Sequence, residues 1–370
     1  MALQISISNA IGARAVAGGG GVDPDAQAFI TAAAITDPTQ QAAINTLVVD
    51  LKGYSIWTKM KALYPFVGGT ATSMKWNLKD PRDLDAAFRL VFIGGGSWDN
   101  NGYTPNGSNG YADTKLIPNN TITNSSGHLS VYSRTNLSGG VDMGSVSTTG
   151  GTIEDSIFSR WTDNKFYANY GTQSYPNVTN TDSRGLFITN RNSATNTTGY
   201  KNGSKVINTA QTSSGVSLNI MPIGAYNNNG TFQYYSNRQY AFASIGDGLT
   251  DTEAANFYTA VQAFQTTLGR SIGAQTVSDA DAQAFVTNAG IVDQVEANAI
   301  NNLVIGLKAD SLWTKMKAVY PFVGGTSTSH SYNLRNTAQY QINWNGGWTW
   351  NSNGVTGNGV NGWGNTGLIP

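Results

Sequence analysis

Glycoside hydrolysis needs two carboxylates facing one cleft, one to protonate the leaving oxygen and one to attack or to activate water. The nearest candidates in the 370-residue chain are Glu154 and Asp155. They are adjacent, and neighbouring side chains of a strand leave on opposite faces. No alternating carboxylate pattern surrounds them. They read as charges on the solvent side of a strand, no catalytic residue is assigned, and the chain is expected not to be an enzyme. Zinc of ordinary ligation is excluded by two histidines, His128 and His330, and no cysteine. Asp80, Asp83 and Asp85 beside Pro81 offer alternating oxygen donors, a weak calcium candidate set against a solvated loop. No other cofactor is expected. Gly94-Gly95-Gly96 lacks the Lys-Ser/Thr of a phosphate loop and reads as a turn or bulge.

The aromatic residues carry more. Trp98, Tyr103 and Tyr111 sit in the Gly- and Asn-rich stretch Gly94–Tyr111, and Trp348, Trp350 and Trp363 occupy a corresponding stretch later in the chain. Sugars present apolar CH faces that stack on aromatic rings and hydroxyls that pair with Asn, Asp and backbone groups. These six residues are therefore the candidate glycan-binding set. The alternative is packing on a neighbouring module or subunit, because Tyr and Trp are enriched at interfaces too.

What must position these residues is a repeat. Asp25–Lys79 recurs without a gap as Asp281–Arg335, at an offset of about 256 residues and with roughly three positions in five identical. Its centre reads WTKMKALYPFVGGT at Trp57–Thr70 and WTKMKAVYPFVGGT at Trp313–Thr326. Both copies reach Leu-Ile-Pro, at Leu116–Pro118 and Leu368–Pro370, after which only the first continues. A partial second sandwich would leave unpaired edges. The expectation is a natural chain that runs on past Pro370, or failing that a neighbouring subunit that completes the sheet.

Within a copy, Asp25–Ala34 is the first predicted helix. Asp37 is the predicted N-cap of the second, with Pro38 at its first position and Ile44, Leu47, Val48 and Leu51 on its apolar face. A third helix is expected over about Ile56–Leu63, before Pro65. From Met74 the period becomes two. Strands are predicted at Met74–Lys79, Ala87–Phe92, His128–Ser133, Ile153–Trp161, Lys165–Tyr170, Gly185–Asn190, Gly199–Val206, Val216–Ala225 and Arg238–Ile245. Thr250 and Glu253 form a capping box for a final amphipathic helix with Phe257, Val261, Phe264 and Leu268 on one face. The fold class that follows is mainly β. An antiparallel jelly-roll sandwich is preceded by a small three-helix module, and that module is repeated and followed by an incomplete second jelly roll. The expected boundaries are 1–22 for an N-terminal arm and Gly linker, 23–68 for the first helical module, 69–272 for the first jelly roll with its helix, 273–324 for the second helical module and 325–370 for the start of the second jelly roll.

Composition narrows the function classes. Net charge is zero and charged residues make up 12%, which gives no basic footprint for nucleic acid. No apolar run approaches a membrane span, so no membrane insertion is expected. Gly is abundant at 43 residues, as suits a turn-rich surface protein. Leu3, Ile5 and Ile7 alternate in a short arm ahead of Gly18–Gly21, a pattern suited to adding a strand to a partner's sheet edge.

The hairpin Tyr200–Val206 with its Asn202-Gly203 turn, then Ile223-Gly224-Ala225-Tyr226, the strand Gln239–Ile245 and the helix start Gly248–Glu253 follow the order of the concanavalin A-like (LamG-type) jelly-roll family, which the chain resembles from about Met74 to Arg270. Asp25–Phe29, Trp57–Gly69 and Phe242–Phe264 also resemble segments of bacteriophage fibre, spike and tail proteins. That resemblance implies a structural virion protein at the virion surface. It would be held to other virion proteins by Leu3, Ile5 and Ile7, assembled as a homotrimer, and would display a lectin-like domain to host-surface or mucus glycans. The alternatives are a polysaccharide depolymerase and an architectural capsid or tail decoration without a ligand.

Overall fold

The computed structural model describes residues 21–148, 152–171, 173–273, 275, 277–351 and 353–369. Leu3, Ile5 and Ile7 of the expected anchoring arm lie outside the described residues.

The chain opens on α1 (Pro24–Ala32) and α2 (Pro38–Gly53). Asp23 and Asp37 cap them, each side chain accepting a backbone N–H of the first turn. A 3₁₀ turn, Trp57–Lys59, leads into β1 (Met60–Tyr64). A single helical turn, α3 (Ala71–Met74), follows. Next come β2 (Val91–Ile93), β3 (Gly96–Asp99), β4 (Gly102–Pro105), β5 (Tyr111–Asp113), β6 (Gly127–Ser133) and β7 (Met143–Ser147). Then β8 (Ile153–Phe158), β9 (Lys165–Tyr170), β10 (Asn177–Thr179), β11 (Gly185–Ser193), β12 (Asn196–Lys201) and β13 (Ser204–Ala210) follow. The unit ends with β14 (Pro222–Ile223), β15 (Tyr226–Asn228), β16 (Thr231–Gln233), β17 (Tyr240–Gly246) and α4 (Asp251–Thr267).

These strands make a sandwich. One sheet runs β13-β12-β11-β6-β17-β4-β3, with β1 added on β17; the other runs β10-β9-β8-β7-β14-β5-β2, with β15 beside β7 and β16 beside β15. The expected mainly-β sandwich is therefore what forms. Alternation along β6 and β17 explains its layering. Leu129, Val131, Ala243 and Ile245 point between the sheets and meet Met143, Ile157, Phe166 and Ile223. Tyr132 and Phe242 point the other way, under α1, α2 and α4, with Leu47, Leu51, Phe257 and Phe264. Both faces of this sheet are thus covered, and every residue of β6 and β17 is buried. Among the described residues no helix joins the apolar cluster on the outer face of the second sheet.

Some elements differ from expectation. Ile56–Leu63 is not a helix: β1 pairs with β17, Leu63 opposite Ser244 and Tyr64 opposite Ala243. The hydrogen-bonding partner lies far along the chain, and it overrides the local helical pattern. Met74–Lys79 is not a strand; Thr70 and Ser73 close a capping box on α3 instead. Val216–Ala225 contributes only the short β14.

The second copy repeats the local structure. Its helices α5 (Ala280–Asn288) and α6 (Gln294–Ala309), 3₁₀ turn Trp313–Lys315 and short α7 (Ser327–Ser331) match their counterparts. Its strands β18 (Asn343–Asn345), β19 (Trp348–Asn351), β20 (Gly354–Gly357) and β21 (Trp363–Asn365) form only two isolated pairs, β18-β21 and β19-β20. The counterpart of β1, Met316–Tyr320, is not a strand.

Candidate functional site

The outer face of the second sheet carries the site. Along β8, Ile153, Asp155 and Ile157 point one way and Glu154, Ser156 and Phe158 the other. Glu154 and Asp155 are both fully buried, which corrects their reading as solvent-facing charges. Asp155 faces inward and accepts from the backbone N–H of Gly171 at 2.9 Å and of Ser217 at 2.7 Å. Burial, with the Glu154 charge adding to it, pushes its carboxyl up to about 7. Glu154 faces outward. Its Oε1 accepts from Ser156 at 2.7 Å and Asn169 at 3.1 Å, and its Oε2 from the hydroxyls of Tyr226 at 2.8 Å and Tyr175 at 3.1 Å. Four donors compensate the buried carboxylate, as a buried charge requires.

Above this floor stands an aromatic wall. β8 and β9 pair Phe158 with Tyr167. Phe158 lies 5.3 Å from Trp161 and 6.1 Å from Tyr226 between ring centroids, and Trp161 meets Tyr234 edge-on at 5.4 Å. Together these residues border a cleft of about 570 Å³, whose rim adds Gln173, Ser174, Asn177, Asn228 and Gln233. Volume and composition fall in the range of small-molecule sites. Tyr175 and Tyr234 are 37% and 53% exposed, and both hold left-handed backbone, φ +53° and +51°. A bulky residue there costs on the order of 1–3 kcal/mol, and such outliers cluster at ligand sites.

The chemistry available is recognition by stacking and neutral hydrogen bonding. No Lys or Arg lines the cleft among the described residues. Burial, with the neighbouring Glu154, raises the Tyr226 and Tyr175 hydroxyls above the ordinary tyrosine range, so they stay protonated donors. Glu154 and Asp155 lie on opposite faces of β8, and no carboxylate pair of the kind hydrolysis ordinarily uses lines the cleft among the described residues.

The aromatic residues singled out by spacing lie elsewhere. Tyr103 and Tyr111 are buried. Trp98 is half-buried and stacks on Tyr103 at 5.7 Å, with Phe92 5.3 Å away. Tyr111 stacks on Phe232 at 4.3 Å. The stretch expected to be an exposed loop is therefore packed, Trp98 and Tyr103 on the β3-β4 hairpin and Tyr111 on β5 of the other sheet. In the second copy Trp348 and Trp350 gather around Trp344, and Trp363 is 57% exposed. Asp80, Asp83 and Asp85 do not converge on a cation site. Asp80 is paired with Arg82 at 2.5 Å, Asp83 with Lys75 at 2.6 Å and Asp85 with Arg89 at 3.0 Å, and no cluster suited to a metal ion occurs among the described residues. The cleft residues escape a sequence reading because they come from four separate segments. The one legible signal is Glu154, Ser156 and Phe158 at alternate positions of one strand.

No family model matches the chain, and no curated protein matches it. Several solved structures are similar. Domain 4 of an extracellular arabinanase from Geobacillus stearothermophilus, in complex with arabinotriose, is 11% identical; the match covers 54% of this chain and 98% of that one, with a TM-score of 0.35. A Trypanosoma rangeli sialidase in complex with a difluoro-KDN is 8% identical over 59% of this chain and 39% of that one, at 0.38. The binding domain of botulinum neurotoxin DC, in complex with rat synaptotagmin II, is 12% identical over 59% and 54%, at 0.37. The chain thus spans about two fifths of the sialidase and about half of the toxin domain. These comparisons show neither a phage origin nor membership of the LamG family. Two of them come from glycan-acting enzymes, and on this finding the expectation that the chain is not an enzyme is corrected and set aside.

Proposed function

We propose that this is a glycan-recognising β-sandwich whose cleft beside Glu154 takes an uncharged sugar. The observation that supports this most is the pair of exposed tyrosines, Tyr175 and Tyr234, held in left-handed backbone around a rigid polar floor. Trp161, Tyr175 and Tyr234 offer π-faces to sugar CH groups. Gln173, Asn177, Asn228 and Gln233 offer amide donors and acceptors to hydroxyls. A carboxylated sugar finds no cation among the described lining residues, so its charge would be desolvated without a partner, which selects against it.

A second reading, action on the bound glycan, is favoured by one feature: two phenols of the cleft, Tyr175 and Tyr226, are hydrogen-bonded to the carboxylate of Glu154 buried beneath it. A glycan array, followed by a reducing-sugar release assay on the glycans retained, separates the two. Retention of neutral glycans that is lost in Tyr234→Ala supports the cleft. Release of reducing ends that is lost in Glu154→Gln assigns turnover to it. Retention unchanged by Tyr234→Ala removes the cleft from the proposal. Placement at a virion surface, attachment to other virion proteins and trimeric assembly extend the same proposal. They rest on the sequence resemblance to phage fibre proteins, and sedimentation of the purified chain tests the trimer.

A further inference from the structure

The internal repeat allows one surface to be read against its own template. In the first copy Leu47 and Ile56 are 1% and 0% exposed; their counterparts Leu303 and Leu312 are 40% and 36% exposed. Met60, Leu63, Tyr64 and Phe66 are all buried, whereas Met316, Val319, Tyr320 and Phe322 are half-buried. The internal contacts of the module are not the cause, since both copies share them. Asn77 and Asn333 each accept the backbone N–H of the β1-type segment at 2.9 Å. Phe66 and Phe322 share left-handed backbone, φ +45° and +52°. Lys52 and Lys308 each bridge two aspartates. What covers the first face is the strand–helix segment β17–α4.

That segment also supplies charge. Lys59 pairs with Glu253 at 2.5 Å and Lys61 with Asp247 at 2.9 Å. The buried Arg270 guanidinium donates to the carbonyls of Pro65 and Phe66 at 2.7 and 2.8 Å. In the second copy Lys315 and Lys317 are exposed, and neither has an ion-pair partner among the described residues.

We infer that the face formed by Leu303, Leu312 and Met316–Tyr320 is a docking site for a strand–helix segment of the chemistry of Tyr240–Arg270. Its strand adds antiparallel to Met316–Tyr320. An Asp at the strand end meets Lys317, and a Glu at the third helical position meets Lys315. An arginine after the helix takes the carbonyls of Pro321 and Phe322. Strand addition satisfies backbone groups that are otherwise left to water, and the helix covers the apolar side chains.

The test fuses a second copy of residues 239–270 to the end of the chain through a long Gly-Ser linker, so that docking is intramolecular. Amide hydrogen exchange at Met316–Tyr320 should slow on the order of tenfold or more relative to the parent chain, with Met60–Tyr64 unchanged. Leu303→Asp or Lys315→Glu should remove the protection. In the Lys315→Glu chain, Lys at the Glu253 position of the fused segment should restore it. Unchanged exchange at Met316–Tyr320 overturns the proposal. So does protection that survives Lys315→Glu, or a parent chain that dimerises with these amides already protected, since a second copy would then cover the face.

Discussion

Tyr226 donates its hydroxyl to Glu154 at 2.8 Å across two strands far apart in sequence, β15 and β8. The contact ties the wall of the cleft to its floor, because the same tyrosine packs against Phe158. A buried carboxylate constrained by four donors has one orientation, and it fixes the position of Tyr175 on the opposite side through a 3.1 Å hydrogen bond. Polar pre-organisation of this kind leaves little reorganisation for a ligand to induce.

Floor and wall should therefore respond differently to mutation. Tyr226→Phe leaves the buried Glu154 short of one donor and should lower stability by about 1–3 kcal/mol. Tyr234→Ala removes a half-exposed ring, so its unfolding midpoint should stay close to wild type. Its glycan affinity should fall by about 1–3 kcal/mol, as for loss of an aromatic anchor. Chemical denaturation and titration calorimetry on both variants check this. Equal stability losses would mean that Tyr234 is a packing residue.

Two buried groups set opposing pH dependences. His128 donates from Nδ1 to the Asp247 carbonyl at 2.7 Å and accepts at Nε2 from Ser244 at 3.0 Å, and burial lowers its pKa to about 4. Between about pH 4 and 6.5 the unfolded chain binds more protons there, so this group makes stability rise with pH, by about 3 kcal/mol across the window. Asp155, raised to about 7, is protonated in the folded state where the unfolded carboxyl is ionised. It makes stability fall as pH rises from about 4 to 7. Relative to wild type, His128→Gln should leave a stability that falls through this range and Asp155→Asn one that rises. Denaturation midpoints from pH 4.5 to 7.5 check both, and parallel wild-type and His128→Gln curves would count against the histidine.

Local signals were readable and long-range ones were not. Thr250 and Glu253 cap α4 as their spacing implies, and Asn202-Gly203 turns β12 into β13, because a cap or a two-residue turn is decided by adjacent residues. Ile56–Leu63 reads locally as a helix because β17, the partner of Met60–Tyr64, arrives some 180 residues later. The surroundings of the candidate aromatics are hard to read for the same reason. Trp98, Tyr103 and Tyr111 look like surface aromatics in a Gly/Asn-rich stretch, yet they pack beside Phe92 and Phe232. Glu154 looks solvated until Tyr175 and Tyr226 close over it.

The buried pair Asp142–Arg238 should show strong coupling. Its atoms meet at 3.2 Å with both side chains fully buried. Tyr240 also donates to Asp142, at 2.9 Å, and Arg238 donates to the Arg160 carbonyl at 2.7 Å. Removing one partner strands the other charge, so Asp142→Asn and Arg238→Met should each cost about 3–5 kcal/mol. The double variant should cost clearly less than their sum. Additive losses in a double-mutant cycle would show that the pair is not coupled.

At Leu47 and Leu303 the repeat holds residue type and helical structure constant while burial changes. Leu47 and Leu303 occupy the same position of α2 and α6, the first 1% exposed under β17 and α4, the second 40% exposed. Leu47→Ala deletes a fully packed side chain and should cost about 2–5 kcal/mol. Leu303→Ala removes a side chain that water already reaches and should stay within about 0.5 kcal/mol, as surface substitutions do. Tyr64→Ala and Tyr320→Ala should split the same way, with Tyr64 the costlier. Denaturation of the four variants, with hydrogen exchange reporting α2 and α6 separately, measures the difference. Equal costs at Leu47 and Leu303 would mean that the second face is covered in solution by the chain itself.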